Sequence, residues 1–110
     1  MHDVLMDAKV LRRAAEIVDQ GWCQDFLALD EHENAVDVQS PRAVRWCALG
    51  ASILAGKQMG SDGWRAFHEA SRTTPTGDRL TIWNNAPGRT ADEVATYLRS
   101  VADRCENAAR

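Results

Sequence analysis

The chain has 110 residues, of which 45% are hydrophobic and 26% are charged, a balance typical of globular proteins and unlike that of disordered or fibrous chains. This length leaves no room for two independent cores, so we expect one small helical domain over residues 1–110. The net charge of −3 provides no basic field to attract phosphates, which disfavours nucleic acid as a partner.

The first predicted element is an amphipathic helix over residues 3–20. Its apolar side chains recur at helical spacing on one stripe, which consists of Val4, Ala8, Leu11, Ala15 and Val18. Gly21 follows as a residue that commonly ends helices. The first segment, MHDVLMDAKVLRR, mixes acidic and basic residues and lacks a long apolar run, so we predict neither a signal peptide nor a membrane span.

A short β-hairpin is predicted between the first and second helices. The apolar run 26–29 and the pair Val36 and Val38 flank the polar turn DEHEN at 30–34. An isolated hairpin is only marginally stable, so we expect helices to cover it.

The second predicted helix spans residues 40–56, with Ser40 as its cap, Pro41 at its first position and Gly56 at its end. Its inner stripe is predicted to consist of Val44, Cys47, Ala48, Ala51 and Leu54 or Ala55. Gly50 costs about 1 kcal/mol relative to Ala inside a helix, so we expect a neighbouring segment to pass close to it.

A short third helix is predicted to open at Ser61 and Asp62, with Trp64, Phe67 and Ser71 on one side. The segment that follows it, SRTTPTGD at 71–78, is predicted to be a loop because it is rich in Ser, Thr, Pro and Gly.

Residues 80–98 run from an apolar, strand-like start through a Pro-Gly turn into the last helix. Thr90 and Glu93 have the spacing of a capping box, which places the helix start there. The buried stripe of this helix is predicted to be Val94, Tyr97, Leu98, Val101 and Cys105. The fold class is therefore mostly α, a compact bundle of about four helices with a short β-hairpin between helices 1 and 2.

Five residues near the predicted second and last helices are candidates for a binding site: Arg45, Trp46, Trp83, Asn84 and Arg89. An aromatic ring, an amide and a guanidinium beside a helix N-terminus suit an anion or a peptide carboxylate. Ordinary capping and packing at a helix start explain the same residues without a ligand. Trp46 would either cover the edge of the core or stand in an exposed patch that marks a partner surface.

Cys47, His68 and Asn84 occur in the chain order of a Cys-His-Asn hydrolase, in which an imidazole activates a thiolate and an amide orients the ring. The local sequences typical of such enzymes are absent around them. Cys47 also lies on a predicted stripe of small residues, where buried structural thiols are common. A catalytic role and a core role for Cys47 are both retained as hypotheses.

The remaining motifs indicate no metal and no cofactor. The histidines are scattered along the chain, DEHEN lacks the ligand pattern of an EF-hand, and GASILAGKQMG lacks the spacing of a phosphate-binding loop. Cys23, Cys47 and Cys105 show no C-x-x-C spacing, which favours reduced thiols and hence a cytoplasmic location.

Two segments carry a family resemblance: AVRWCALGA at 43–51 and IWNNAPGRTADEVATYL at 82–98, preceded by a helix that ends in Gly-Trp. They resemble a family of small uncharacterised bacterial and phage proteins, a domain of unknown function with the motifs R-W-C-x-x-G-A and W-N-D-x-x-x-R-T-x-x-E-V. The resemblance marks Gly21, Trp22, Arg45, Trp46, Cys47, Gly50, Ala51, Trp83, Asn84, Arg89, Thr90, Glu93 and Val94. The chain departs from the family at Asn85, where an acid is usual, and this departure favours a turn or capping role for that position.

Three functional hypotheses follow. We expect a non-enzymatic protein-binding module, whose phage or mobile-element origin is implied by the resemblance alone. The alternatives are a small cysteine-dependent hydrolase that uses Cys47 and His68, and a nucleic-acid accessory protein that uses basic residues such as Arg12, Arg13, Arg42 and Arg45. A homodimer is compatible with the apolar surface that so small a protein leaves exposed.

Overall fold

The structure, a computed structural model, describes residues 4–109 and is mostly helical. The described residues form five helices and two short strands: α1 (Val4–Gln20), β1 (Ala28–Leu29), β2 (Arg45–Trp46), α2 (Ala48–Gln58), α3 (Gly63–Ser71), α4 (Leu80–Asn84) and α5 (Ala91–Ala108). The mostly α fold with a small antiparallel strand pair after the first helix is therefore confirmed.

The two long helices, α1 and α5, lie side by side at the centre of the fold. Arg12 on α1 donates hydrogen bonds to Asp103 at 2.6 Å and to Glu106 at 2.8 Å, and Arg99 pairs with Asp19. Because the later residue of α1 pairs with the earlier part of α5, the two helices run antiparallel. The predicted apolar stripe of α5 is confirmed, since every one of its members is buried.

The second helix begins later than predicted, at Ala48 instead of residue 40. The prediction from Ser40 and Pro41 was wrong because these residues form a turn, and residues 44–46 pair with distant backbone. The amide of Val44 donates to the carbonyl of Leu29 at 2.9 Å, and the amide of Trp46 donates to the carbonyl of Gly21 at 3.0 Å. Val44 consequently lies outside the helix and is exposed.

The predicted hairpin is correct in its turn and wrong in its second strand. The Asp30 carboxylate accepts hydrogen bonds from the amides of His32 and Asn34 at 2.9 and 2.8 Å, which lowers the pKa of Asp30. The strand that pairs with β1 is β2, with Ala28 opposite Trp46, and not the segment around Val36 and Val38. The amide of Val36 donates one hydrogen bond to the carbonyl of Ala28 at 3.1 Å, and Ala35 forms an isolated bridge with Leu29.

The close approach predicted at Gly50 is present. A Cβ atom at this position would lie 1.9 Å from the carbonyl oxygen of Leu27, a backbone atom that cannot move aside by changing a rotamer. A glycine is therefore required where the first turn of α2 crosses the segment that leads into β1.

The last two helices meet at a Pro-Gly turn. The start that was predicted to be strand-like is instead the short helix α4. The capping box of α5 is confirmed, since Thr90 Oγ1 accepts from the amide of Glu93 at 3.2 Å and a Glu93 carboxylate oxygen accepts from the amide of Thr90 at 3.1 Å. The predicted cap of α3 is also present, with the Asp62 carboxylate accepting from the amide of Trp64 at 2.9 Å.

Candidate functional site

Asn84, at the end of α4, is completely buried and joins three segments of the chain. Its side-chain oxygen accepts from the indole of Trp22 at 2.8 Å and from the amide of Ala48, the first residue of α2, at 3.0 Å. Its side-chain nitrogen donates to the carbonyl of Cys23 at 3.2 Å and to the side chain of Asn85 at 2.9 Å. The Asn84 amide is therefore occupied by internal hydrogen bonds and not available to a ligand.

Asn85 uses only its side-chain oxygen in these contacts. This oxygen accepts from Asn84 and from the amide of Asp25 at 2.9 Å, where the backbone has a positive φ of 71°. A carboxylate oxygen at position 85 could accept the same two hydrogen bonds. The Asn85 side chain therefore supports a turn, the role expected for it.

Trp83 and Arg89 form one packed unit at the turn into α5. The guanidinium carbon of Arg89 lies 4.1 Å from the centre of the Trp83 ring, and its Nε donates to the Trp83 carbonyl at 3.0 Å. The same guanidinium donates to Glu93 at 2.9 Å, and this bond is the main cause of the lowered pKa of Glu93. Trp83 is only 4% exposed and stacks near Tyr97, so this pair holds α4 against α5.

Arg45 and Trp46 lie on β2, apart from that unit, and both are half-buried. The Trp46 indole donates to the carbonyl of Val38 at 3.1 Å, and Arg45 pairs with Glu33 at 3.4 Å. Trp46 packs against the core edge, one of the two positions expected for it. The structure thus brings Trp83 and Arg89 into direct contact, with Asn84 next to Trp83 in the chain, and places the β2 pair on a separate strand.

The three residues of the hydrolase hypothesis do not form a catalytic arrangement. Cys47 is the N-cap of α2, and its sulfur accepts from the amide of Gly50 at 3.3 Å. Burial raises the pKa of the Cys47 thiol, which disfavours the thiolate that a nucleophile requires. His68 is exposed on α3, and within residues 4–109 no hydrogen bond joins it to Cys47 or to Asn84.

The other thiols are also held as buried, free side chains. Burial raises the pKa of Cys23 to about 12 and raises the pKa of Cys105 as well. Within the described part of the chain no group of three or more His, Cys, Asp or Glu side chains is placed to hold a metal ion. None of the helices in residues 4–109 has the length and apolar character needed to cross a membrane.

The basic residues of the nucleic-acid hypothesis are largely paired with other side chains. Arg12 contacts two carboxylates, Arg13 donates to Gln58 at 2.8 Å, and Arg45 pairs with Glu33. These guanidiniums do not form an uncompensated basic stripe of the kind that binds duplex phosphates.

A groove that sequence reasoning missed lies where α3, α4 and the loop between them meet. We call it the α3–α4 groove; its volume is about 520 Å³, and its lining includes Leu49, Trp64, Phe67, His68, Arg72 and Arg79. Trp64 is 50% exposed and meets Phe67 edge to face at 6.2 Å. His68 lies 5.9 Å from the Phe67 ring, so three rings form one aromatic wall.

A helical spacing could have indicated this wall, because positions 64, 67 and 68 share one helix face. Helical spacing predicted that Trp64 and Phe67 lie on one side of the helix but did not assign that side to solvent. Ile82 on α4 adds to the exposed apolar surface near this end of the molecule, since it is 57% exposed and follows the lining residue Thr81.

Comparison with known proteins identifies a family without a described activity. No curated protein and no solved structure matches the chain. A family model described as "Family of unknown function (DUF6197)" matches residues 4–104, which confirms the resemblance to an uncharacterised domain of unknown function. The chain therefore belongs to the DUF6197 family.

Proposed function

We propose that this protein is a non-enzymatic interaction module that binds a partner protein through the α3–α4 groove. The observation that carries the proposal is the position of Trp64, a large aromatic side chain left half exposed at a groove of about 520 Å³. Tryptophan and arginine are the residues most often found at the energetic centre of protein interfaces, and the groove contains both.

The residues of the family motifs support this groove indirectly. Asn84 ties the end of α4 to the first residue of α2, and Arg89 with Trp83 ties α4 to the start of α5. Because α4 forms one side of the groove, these buried contacts position the wall that a partner would meet. In this proposal the motif is the scaffold, and the exposed ring of Trp64 is the contact surface.

The geometry favours binding over catalysis. A cysteine hydrolase needs a thiol that ionises easily next to a histidine, whereas burial raises the pKa of the Cys47 thiol and His68 faces solvent. The three free thiols are compatible with a cytoplasmic setting for the interaction. The phage or mobile-element setting remains a proposal drawn from the resemblance.

Site-specific photo-crosslinking tests the proposal. A photoreactive aromatic amino acid replaces Trp64 in one variant and Phe26 in the control variant, since both side chains are 50% exposed but Phe26 lines a different cavity. After irradiation in the cells that encode the protein, we expect a discrete crosslinked partner from position 64 and none from position 26. Equal products from both positions, or none from position 64, would contradict the proposed docking surface.

A further inference from the structure

The α3–α4 groove, on which this inference and the proposed function both rest, has a charge opposite to that of the whole protein. The chain carries a net charge of −3, yet the groove is lined by the guanidiniums of Arg72 and Arg79. Glu69 pairs with Arg72 at 2.9 Å. Among the residues that the structure describes, the exposed guanidinium of Arg79 has neither a hydrogen-bond nor an ion-pair partner.

We propose that the groove binds an acidic peptide segment of the partner, which places one large apolar side chain against Trp64 and Phe67 and a carboxylate at Arg79. The aromatic wall supplies the apolar contact, and a guanidinium can bind a carboxylate through two parallel hydrogen bonds. The apolar side chain and the carboxylate of the partner thus each have a matching group in the groove.

The size of the groove agrees with this occupant. Its volume of about 520 Å³ falls in the range of about 300–1,000 Å³ of cavities that enclose compact ligands. It therefore suits one anchoring side chain with its neighbouring backbone. A whole helix or a folded domain would have to rest on the surface outside it.

Two other ligand classes fit the charges less well. The three rings offer faces for a cation, but the guanidinium of Arg79 would repel a positive charge at the same place. Single-stranded nucleic acid also uses aromatic rings and basic groups, but it needs a basic track along its backbone. Here one of the two guanidiniums already pairs with Glu69, and the protein as a whole is acidic.

The electrostatic part of the binding should be modest and sensitive to salt. Arg79 is exposed, and a single exposed ion pair changes an affinity by about fivefold at most. The attraction between two solvent-exposed charges weakens when the ionic strength is raised. The apolar anchor should therefore supply most of the affinity, and the carboxylate should supply the preference for acidic sequences.

A peptide selection followed by titration tests the inference. A random peptide library is selected on the wild-type protein, after removal of the sequences that bind the Trp64→Ala variant. Selected peptides are then titrated against wild type, Arg79→Glu, Arg79→Lys and the control Arg42→Glu, which changes an exposed arginine lining a different cavity. Unfolding midpoints verify that each variant is folded, and a short oligothymidylate is titrated in parallel.

We expect selected peptides that combine acidic residues with one Trp, Phe or Leu. Their affinity should fall about fivefold in Arg79→Glu, fall less in Arg79→Lys and stay unchanged in Arg42→Glu. Selection of neutral or basic peptides, no selection at all, or binding of the oligothymidylate alone would overturn the acidic occupant. If the crosslink at position 64 persists in those cases, the proposed function stands and only the occupant is wrong; loss of that crosslink removes both.

Discussion

Replacing Asn84 by Leu removes four hydrogen bonds while it keeps a side chain of similar size in the site. The amide of Ala48 and the carbonyl of Cys23 each lose a partner in a buried place, and the half-buried indole of Trp22 also loses one. A buried polar group left without a partner costs about 1–3 kcal/mol, so the two buried backbone groups alone predict a loss of about 2–6 kcal/mol. A small domain is stable by only about 5–15 kcal/mol, so this variant should be close to unfolding at room temperature.

Urea denaturation of Asn84→Leu measures this loss. Far-UV circular dichroism is the main readout, because Trp22 touches Asn84 directly and its fluorescence would change for local reasons. The control is Asn107→Leu, a change of the same type at an exposed position of α5, which should alter the free energy of unfolding by less than about 0.5 kcal/mol. A loss of less than about 1 kcal/mol in Asn84→Leu would refute the role of this side chain as a buried structural junction.

Three further variants or treatments probe separate features. Gly50→Ala should lower the free energy of unfolding by about 1–3 kcal/mol or more in urea titrations, because its Cβ would lie 1.9 Å from the backbone oxygen of Leu27; full tolerance would contradict the close approach. Glu93→Gln should lower stability at neutral pH. The Arg89 hydrogen bond lowers the pKa of Glu93, so wild type should be more stable than the variant above the ordinary pKa of 4.5, and this difference should disappear as the pH falls through the lowered pKa. A difference in melting temperature that does not change with pH would argue against this ion pair. A thiol reagent at pH 8 should leave all three cysteines, including Cys47, unmodified in the native protein and react with all of them in urea, whereas fast native labelling of Cys47 would revive the hydrolase hypothesis.

Local signals in the sequence predicted the helices whose ends are fixed by local chemistry. The capping box of Thr90 and Glu93 placed the start of α5 correctly, and Asp62 did so for α3. The start of α2 was missed because Ser40 and Pro41 look like a helix start, while pairing with residues of the first third of the chain keeps the backbone extended up to Trp46. Pairing over such a separation leaves no mark in a local pattern.

The candidate site was only partly predictable for the same reason. Trp83, Asn84 and Arg89 lie around the start of α5, but the partners of Asn84 are 36 to 62 residues away, apart from its neighbour Asn85. Periodicity identified the face of Trp64 and could not show whether another element covers it. Whether that face is covered depends on the position of α4, and buried hydrogen bonds far from the groove fix this position.

The antiparallel packing of α1 against α5 has a consequence for how the protein is made. During translation α1 emerges first of the helices, and its buried stripe has to wait for α5 while residues 21–90 are synthesised, at about 5–20 residues per second. A chain interrupted before Ala91 leaves exposed the part of α1 that α5 covers, although α2 and α3 also pack on α1, and this exposed part makes the chain a target for chaperones and proteases. Because α5 follows the other described helices, products truncated before it expose apolar surface that quality control can detect.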